Sequence, residues 1–204
     1  MRKEFSEAVK DFRYLLSRDY DREGALAFVG DRRQLSKEER LTLYRGVYDH
    51  LSADKHRRKL LSIDAVRGKS LAVDGYNVLI TIETMLSDKP LVLCDDHFIR
   101  DVSAVHGKHK PTGKTRNALR IILKFLNQFK PVKVCFSYDA QVSRSGELAA
   151  LTRTLMGKVG LKGSARAVKQ ADVYTLKSGD IIASSDAVII EKAKKVVDLA
   201  GEIV

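Results

Sequence analysis

"SLAVDGYNVLI", residues 70–80, is the stretch on which the reading of the chain turns. Leu71, Ala72 and Val73 form an apolar run suited to a buried strand, and the run stops on a carboxylate, Asp74. Gly75, Tyr76 and Asn77 follow, and then Val78, Leu79 and Ile80 resume the apolar character. In an open parallel sheet, binding sites lie beyond the carboxyl ends of the strands. An acid, a glycine and an amide at a strand tip therefore make Asp74 the first candidate site residue. Gly75 permits a close turn there, and Asn77 can orient the carboxylate by a hydrogen bond.

Downstream of residue 66 the texture is that of alternating strands and helices. Strands are predicted at 71–73, 91–94, 132–138, 165–168, 180–183 and 202–204. Helices are predicted at 78–86, from 95 to about 103, and at 115–129, 145–158 and 186–198. Strands spaced by helices argue for an α/β domain, a parallel sheet with helices on both faces. Upstream, the apolar residues Phe5, Ala8, Val9, Phe12, Leu15 and Leu16 recur at helical spacing. A second helix starts at Tyr20-Asp21 and stops at Gly30, and Ser36 with Glu39 forms a capping box for a third. The organisation is thus a small all-helical N-terminal domain, residues 1–62, followed by the α/β domain, residues 66–204.

The chain has 204 residues, 44% of them hydrophobic, and a formal net charge of +11. That excess of base favours a polyanionic partner, above all nucleic acid. No run of 18 apolar residues exists, and the first residues mix acids and bases, so the sequence predicts no membrane partner and a cytoplasmic location. Cys94 and Cys135 lie far apart in apolar runs and read as reduced thiols. The charge-dense segment 54–60, with Arg57 and Arg58, reads either as a solvated face or as a phosphate-contacting surface.

One tempting motif fails. Residues 107–115 read GKHKPTGKT, but five residues separate the first glycine from Gly-Lys-Thr where a P-loop has four, and no strand precedes it. The stretch is better read as a basic loop in which Lys108, His109, Lys110 and Lys114 can touch a phosphate backbone. Ser143 to Glu147 allows two readings, a phosphate held by a helix N-terminus and Arg144, or a plain capping box. Tyr76 can stack a base or simply pack against the following helix.

Acids recur where strands end: Asp74, Asp95 and Asp96, Asp139, Asp172, and Asp186 after Ser184 and Ser185. Two carboxylates about 4 Å apart repel by about 4 kcal/mol at an effective dielectric near 20. Such a cluster calls for a cation, and hard oxygen donors suit Mg2+ or Mn2+. An acidic metal site in a basic protein fits phosphodiester hydrolysis.

The stretches LAVDGYNVLI and IIASSDAVII resemble the first and late strands of the PIN-like nuclease superfamily, most closely its NYN branch. The whole chain resembles an archaeal family in which a helical domain precedes a PIN-like domain. That resemblance implies a metal-dependent nuclease acting on RNA more than DNA, with Asp74, Asp172 and Asp186 as metal-binding acids and Asn77 and Ser185 in support. Asp139 enters as an additional ligand. The superfamily's second acid has three candidates here, Asp95, Asp96 and Asp101, of which Asp96 is favoured. The alternative is a non-catalytic nucleic-acid-binding or assembly protein on the same scaffold. Homo-oligomerisation is left open.

Overall fold

The run Leu71–Val73 lies at the middle of the sheet. The computed structural model describes residues 2–102, 109 and 111–204. Within it β1 (Ser70–Asp74) is hydrogen-bonded on one side to β4 (Lys133–Asp139) and on the other to β6 (Ile181–Ala183). With β5 (Gly163–Val168) and β7 (Val196–Val197) they form a five-stranded sheet, order β5-β4-β1-β6-β7, in which every pairing is parallel. Leu71, Ala72 and Val73 have no exposed surface. That is why the strand reads as a continuous apolar run and not an alternating one.

The helices that cover the sheet follow their burial. α5 (Gly75–Met85) is apolar almost all round, and Val78, Leu79, Ile80 and Ile82 are all buried. α6 (Gly113–Phe129) is one-sided and buries Ala118, Leu119, Ile122, Leu123 and Leu126. α7 (Ser145–Val159) packs on β5 and β4, α8 (Ala171–Lys177) on β4 and β1, and the short α9 (Ala187–Lys192) leads into β7. The chain thus runs from β1 outward through β4 to β5, then returns to β6 on β1's other flank. That reversal makes the carboxyl ends of β1 and β6 the topological switch point of the sheet, the place where open α/β sheets bind ligands.

Two compact units divide the chain, Met1–Arg58 with Pro90–Ala104, and Lys59–Lys89 with Val105–Val204. The first contains α1 (Lys3–Leu16), α2 (Arg22–Arg32), α3 (Lys37–Gly46) and α4 (His50–Arg57). Asp21 caps α2, the Ser36–Glu39 box caps α3, and Asp49 caps α4. Phe5, Ala8, Phe12, Ala25, Val29, Leu35, Leu43 and Val47 make its core.

Several expectations are corrected. The helical unit takes back residues 90–104, so the predicted strand at 91–94 is not part of the parallel sheet. It is β2 (Leu91–Leu93), paired antiparallel with β3 (Ile99–Asp101), which replaces the helix predicted from 95. His97, at φ 69°, lies in the turn between them. Gly30 does not stop α2. It sits inside the helix against Arg40, whose guanidinium would collide with a Cβ there. The helix predicted at 186–198 ends at Lys192, and the last strand of the sheet is β7 and not residues 202–204.

Gly75 follows the strand tip at a point of close approach. A Cβ there would lie 2.3 Å and 2.6 Å from the Tyr138 ring and 2.7 Å from the Ser137 carbonyl oxygen. Tyr138 is fully buried, with its hydroxyl on Thr152 at 2.8 Å, so the ring has nowhere to go. Gly75→Ala is expected to lose about 1–3 kcal/mol. Gly157→Ala, in α7 with nothing within 4 Å, is expected to gain about 0.5–1 kcal/mol. Urea denaturation of the two variants checks both signs.

Candidate functional site

The β1–β6 register fixes the site. Val73 pairs with Ala183, so the residues that leave the two strands, Asp74 and Ser184, emerge side by side. The Ser184 hydroxyl donates to Asp74 Oδ2 at 2.9 Å. Asp74 is also the N-cap of α5, with its Oδ1 3.5 Å from the Asn77 amide nitrogen. One hydroxyl and one long amide contact are little support for a half-buried carboxylate.

Burial pushes the Asp74 carboxyl up, and the Ser184 hydrogen bond only partly offsets it. The nearby charges of Asp186 and Asp172 push it further, to about 7. Asp186, exposed, follows Ser185, and its Oδ1 accepts from the amides of Val188 and Ile189 at 2.9 Å and 3.1 Å. This is the cap expected of a strand-to-helix turn. Asp172, exposed, stands in the first turn of α8. Thr175 fastens that helix by a hydroxyl contact to the buried Ser137, whose hydroxyl also donates to the Val73 carbonyl at 3.2 Å. The site therefore brings the charges of Asp172 and Asp186 within reach of Asp74.

Asn77 acts differently from the sequence expectation. Its side-chain oxygen accepts from both the amide (2.8 Å) and the hydroxyl (3.1 Å) of Ser185. The Asn77 side chain thus ties the start of α5 to the loop after β6, while its backbone amide serves Asp74. Ser184, the residue that touches Asp74, was not singled out from sequence. Its signal was positional, since it is the first residue beyond the strand that pairs with β1.

The remaining candidates make other contacts. Asp139 ends β4, accepts from the Gln141 amide at 2.8 Å, and lies close enough to Tyr76 that, after burial, its charge helps hold that phenol up at about 12. Tyr76 is 2% exposed and packs its ring against Tyr138 and His109, so packing and not base stacking describes it. Arg144 is exposed and pairs with Glu147 at 2.7 Å. It stands at the head of α7 with no side-chain cap, so neither Ser143 nor Ser145 caps that helix. His109 does not face solvent with the basic loop. It is 3% exposed, with Nε2 2.7 Å from Glu83 Oε2, and Thr115 contacts the other oxygen of Glu83. Lys114 is exposed and reaches Ser87 at 3.0 Å. Lys108 and Lys110 lie outside the described residues.

All three candidates for a second acid belong to the helical unit, and each is held by an arginine there. Arg13 forks onto Asp95, Arg45 Nη1 donates to Asp101 Oδ2 and to its carbonyl, and Arg100 forks onto Asp96 with two bonds of 2.7 Å. Asp96 is completely buried, and His56 supplies a further bond at 2.8 Å. Burial would raise the Asp96 carboxyl, but the bonds from His56 and Arg100 outweigh it and bring it down to about 2. Asp96 is therefore a structural acid, and its assignment as a metal ligand is corrected. Arg57 is likewise engaged, with Asp54 and with the Asp95 carbonyl at 2.7 Å, whereas Arg58 is exposed at the end of α4.

The donor set at the sheet edge is of hard carboxylate oxygens, which suits a divalent cation in kind. Among the described residues no three His, Cys, Asp or Glu side chains converge closely enough to hold an ion.

Residues 63–202 match the family model described as Domain of unknown function (DUF5616). The chain belongs to that family. Residues 4–59 match a second model, Protein of unknown function (DUF434), so the boundary between the two matches falls where α4 ends. The chain is 38% identical over 200 residues to the Uncharacterized protein MJ0935 of Methanocaldococcus jannaschii, covering 97% of this chain and 95% of that one. No solved structure matches the chain. No helix among the described residues is long and apolar enough to cross a membrane.

Two predictions follow from the geometry of the acids. Asp74 holds its proton in the fold up to about pH 7, whereas the unfolded chain releases it near pH 4. Between those values the folded state binds the extra proton, so stability falls as pH rises. Asp74→Asn is expected to flatten that slope and, in EDTA at pH 8, to gain about 1–3 kcal/mol over the native chain. Urea titrations at pH 5 and pH 8 measure it. Asp96→Ala is expected to lose about 3–5 kcal/mol, because it strands the buried Arg100. For the native pair the sign is opposite to that of Asp74: its stabilisation holds above pH 4 and is lost as pH falls towards 2.

Proposed function

We propose that this protein is a metal-dependent nuclease that hydrolyses phosphodiester bonds in RNA, on a PIN-like α/β domain, with Mg2+ or Mn2+ at Asp74, Asp172 and Asp186. The observation that carries the reading is Asp74 itself. It is a half-buried carboxylate with one hydroxyl donor, at the reversal point of a parallel sheet, and two further acids add their charge to it. A cation is the partner that such a carboxylate lacks. When bound there, the ion would activate water and stabilise the leaving oxygen.

The chain's own residues have separate tasks in this reading. Asp74 and Asp186, whose Oδ2 accepts no bond among the described residues, present oxygen donors at the switch point. Ser184 orients Asp74, and the Asn77–Ser185 contact holds the two strand ends together. Asp172 approaches from α8, which Thr175 and Ser137 fix in place. The net charge of +11 favours a polyanionic substrate. RNA is preferred over DNA on the strength of the family resemblance of residues 70–80 and 181–190.

A second reading, a non-catalytic nucleic-acid-binding protein on the same scaffold, is favoured by the lack of a converged three-ligand cluster among the described residues. One experiment separates the two. The purified chain and Asp74→Asn are incubated with labelled single-stranded and structured RNA, with Mn2+, Mg2+ or EDTA. The nuclease reading expects metal-dependent cleavage that drops at least about 100-fold in Asp74→Asn, a loss of nearly 3 kcal/mol of transition-state stabilisation, while RNA binding persists. Salt-sensitive binding without cleavage by either protein supports the scaffold. Equal cleavage by both rules out Asp74 as the centre.

A further inference from the structure

Positive charge is not spread evenly along this chain. Residues 102–138 contain eight lysines and arginines and no aspartate or glutamate. Four of these cations, Lys114, Arg116, Arg120 and Lys124, are on α6, and all four are exposed. Arg116, Arg120 and Lys124 are spaced by four residues. They form one stripe about 12 Å long at 1.5 Å per residue, opposite the buried stripe of Ala118, Leu119, Ile122 and Leu126. Asn117, Asn127 and Gln128 complete the exposed face.

This arrangement works against the helix that carries it. Like charges at i and i+4 destabilise a helix by about 0.2–0.5 kcal/mol per pair. Lys114 and Arg116 also sit near the N-terminus, where the helix dipole disfavours cations. Neighbouring acids would relieve the repulsion, but α6 has none, and Arg116, Arg120 and Lys124 make no ion pair or side-chain hydrogen bond among the described residues. A local rule broken without structural compensation points to function.

The chemistry of the face selects the partner. It has cations about 6 Å apart and side-chain amides, but no apolar residue. An anionic membrane would need an apolar face to insert, and the apolar face of α6 is buried in the core. A protein partner would need a buried aromatic or aliphatic anchor. A phosphate backbone needs only what the face offers.

We propose that the exposed face of α6, through Arg116, Arg120 and Lys124, is a docking surface for the sugar–phosphate backbone of a nucleic acid. The proposal rests on the reading of the substrate as nucleic acid, but not on catalysis at Asp74. Backbone recognition of this kind is independent of base sequence and strongly dependent on salt.

The test is fluorescence anisotropy with the full chain, in EDTA so that cleavage plays no part, using a labelled single-stranded RNA of mixed sequence at 50–300 mM salt. The triple variant Arg116→Gln, Arg120→Gln, Lys124→Gln is compared with Lys158→Gln, Lys162→Gln, Lys177→Gln, which removes equal charge from exposed positions of the same unit. The α6 variant is expected to weaken binding on the order of tenfold and to lower the slope of log K against log salt by about 2. The control is expected to change affinity less than about threefold, the smaller effect that bulk charge alone produces. Arg116→Lys with Arg120→Lys should restore most of the binding, since the charges return. Equal losses in both triple variants would overturn the proposal in favour of bulk charge. Native chain that binds no RNA, or that binds phosphatidylserine vesicles instead, would overturn it as well. A parallel cleavage assay with Mn2+ separates the two ideas: a native chain that cleaves while the α6 variant binds as tightly as the native chain refutes only this one, and weakened binding by the α6 variant with no cleavage by the native chain refutes only the nuclease reading.

Discussion

The parallel pairing of β1 with β6 is the constraint from which the rest of the α/β unit follows. Because the strands run the same way, they end at the same edge, and the register Val73↔Ala183 delivers Asp74 beside Ser184. A slip of one residue would turn every side chain of β1 to the other face. The buried run Leu71–Val73 guards that register, since any shift would carry the polar Ser70 or Asp74 into the core. The carboxylate at the switch point also caps α5, so the strand tip, the helix start and the candidate site are one structural event. Gly75 is part of it, because only a residue without a Cβ fits against Tyr138 and the Ser137 carbonyl.

Charge is then distributed in three ways that do not mix. At the sheet edge, acids with few partners accumulate and Asp74 resists ionisation. On α6, cations accumulate without acids. In the helical unit, three acids are each held by an arginine, Asp95 by Arg13, Asp101 by Arg45 and Asp96 by Arg100. The third pattern is what a fold does when charge serves structure: a buried pair of this kind seldom adds net stability over an apolar pair, but breaking it is costly. The first two patterns lack that compensation. An acidic centre would repel a polyanion unless a cation offset it and a basic surface drew the strand in. The proposed metal site and the proposed backbone surface on α6 answer those two needs separately.

Residue 96 shows how proximity in sequence misleads. An acid shortly after an apolar run looks like one more strand-end carboxylate. Only the antiparallel pairing of β2 with β3 reveals that residues 90–104 fold back into the helical unit, where Asp96 is sealed under Arg100 and His56. His109 departs from expectation for a similar reason. Its basic neighbours in sequence suggested an exposed loop, whereas the lone acid of α5, Glu83, draws it inward.

The sequence by itself determined the α/β class, the helical N-terminal segment, the helix start at Asp21, the cap at Ser36, and the strand tip at Asp74. These are local matters: apolar periodicity, cap chemistry and a run of buried residues are set by neighbours a few positions apart. Three things were decided only by the tertiary structure. One is which acids meet, because that depends on strand order and register between residues more than a hundred positions apart. Another is which charges are already paired, as Asp95, Asp96 and Asp101 are. The last is that Arg116, Arg120 and Lys124 are not, among the described residues: their spacing is visible in the sequence, but their common exposure and lack of partners require the helix to be seated on its core.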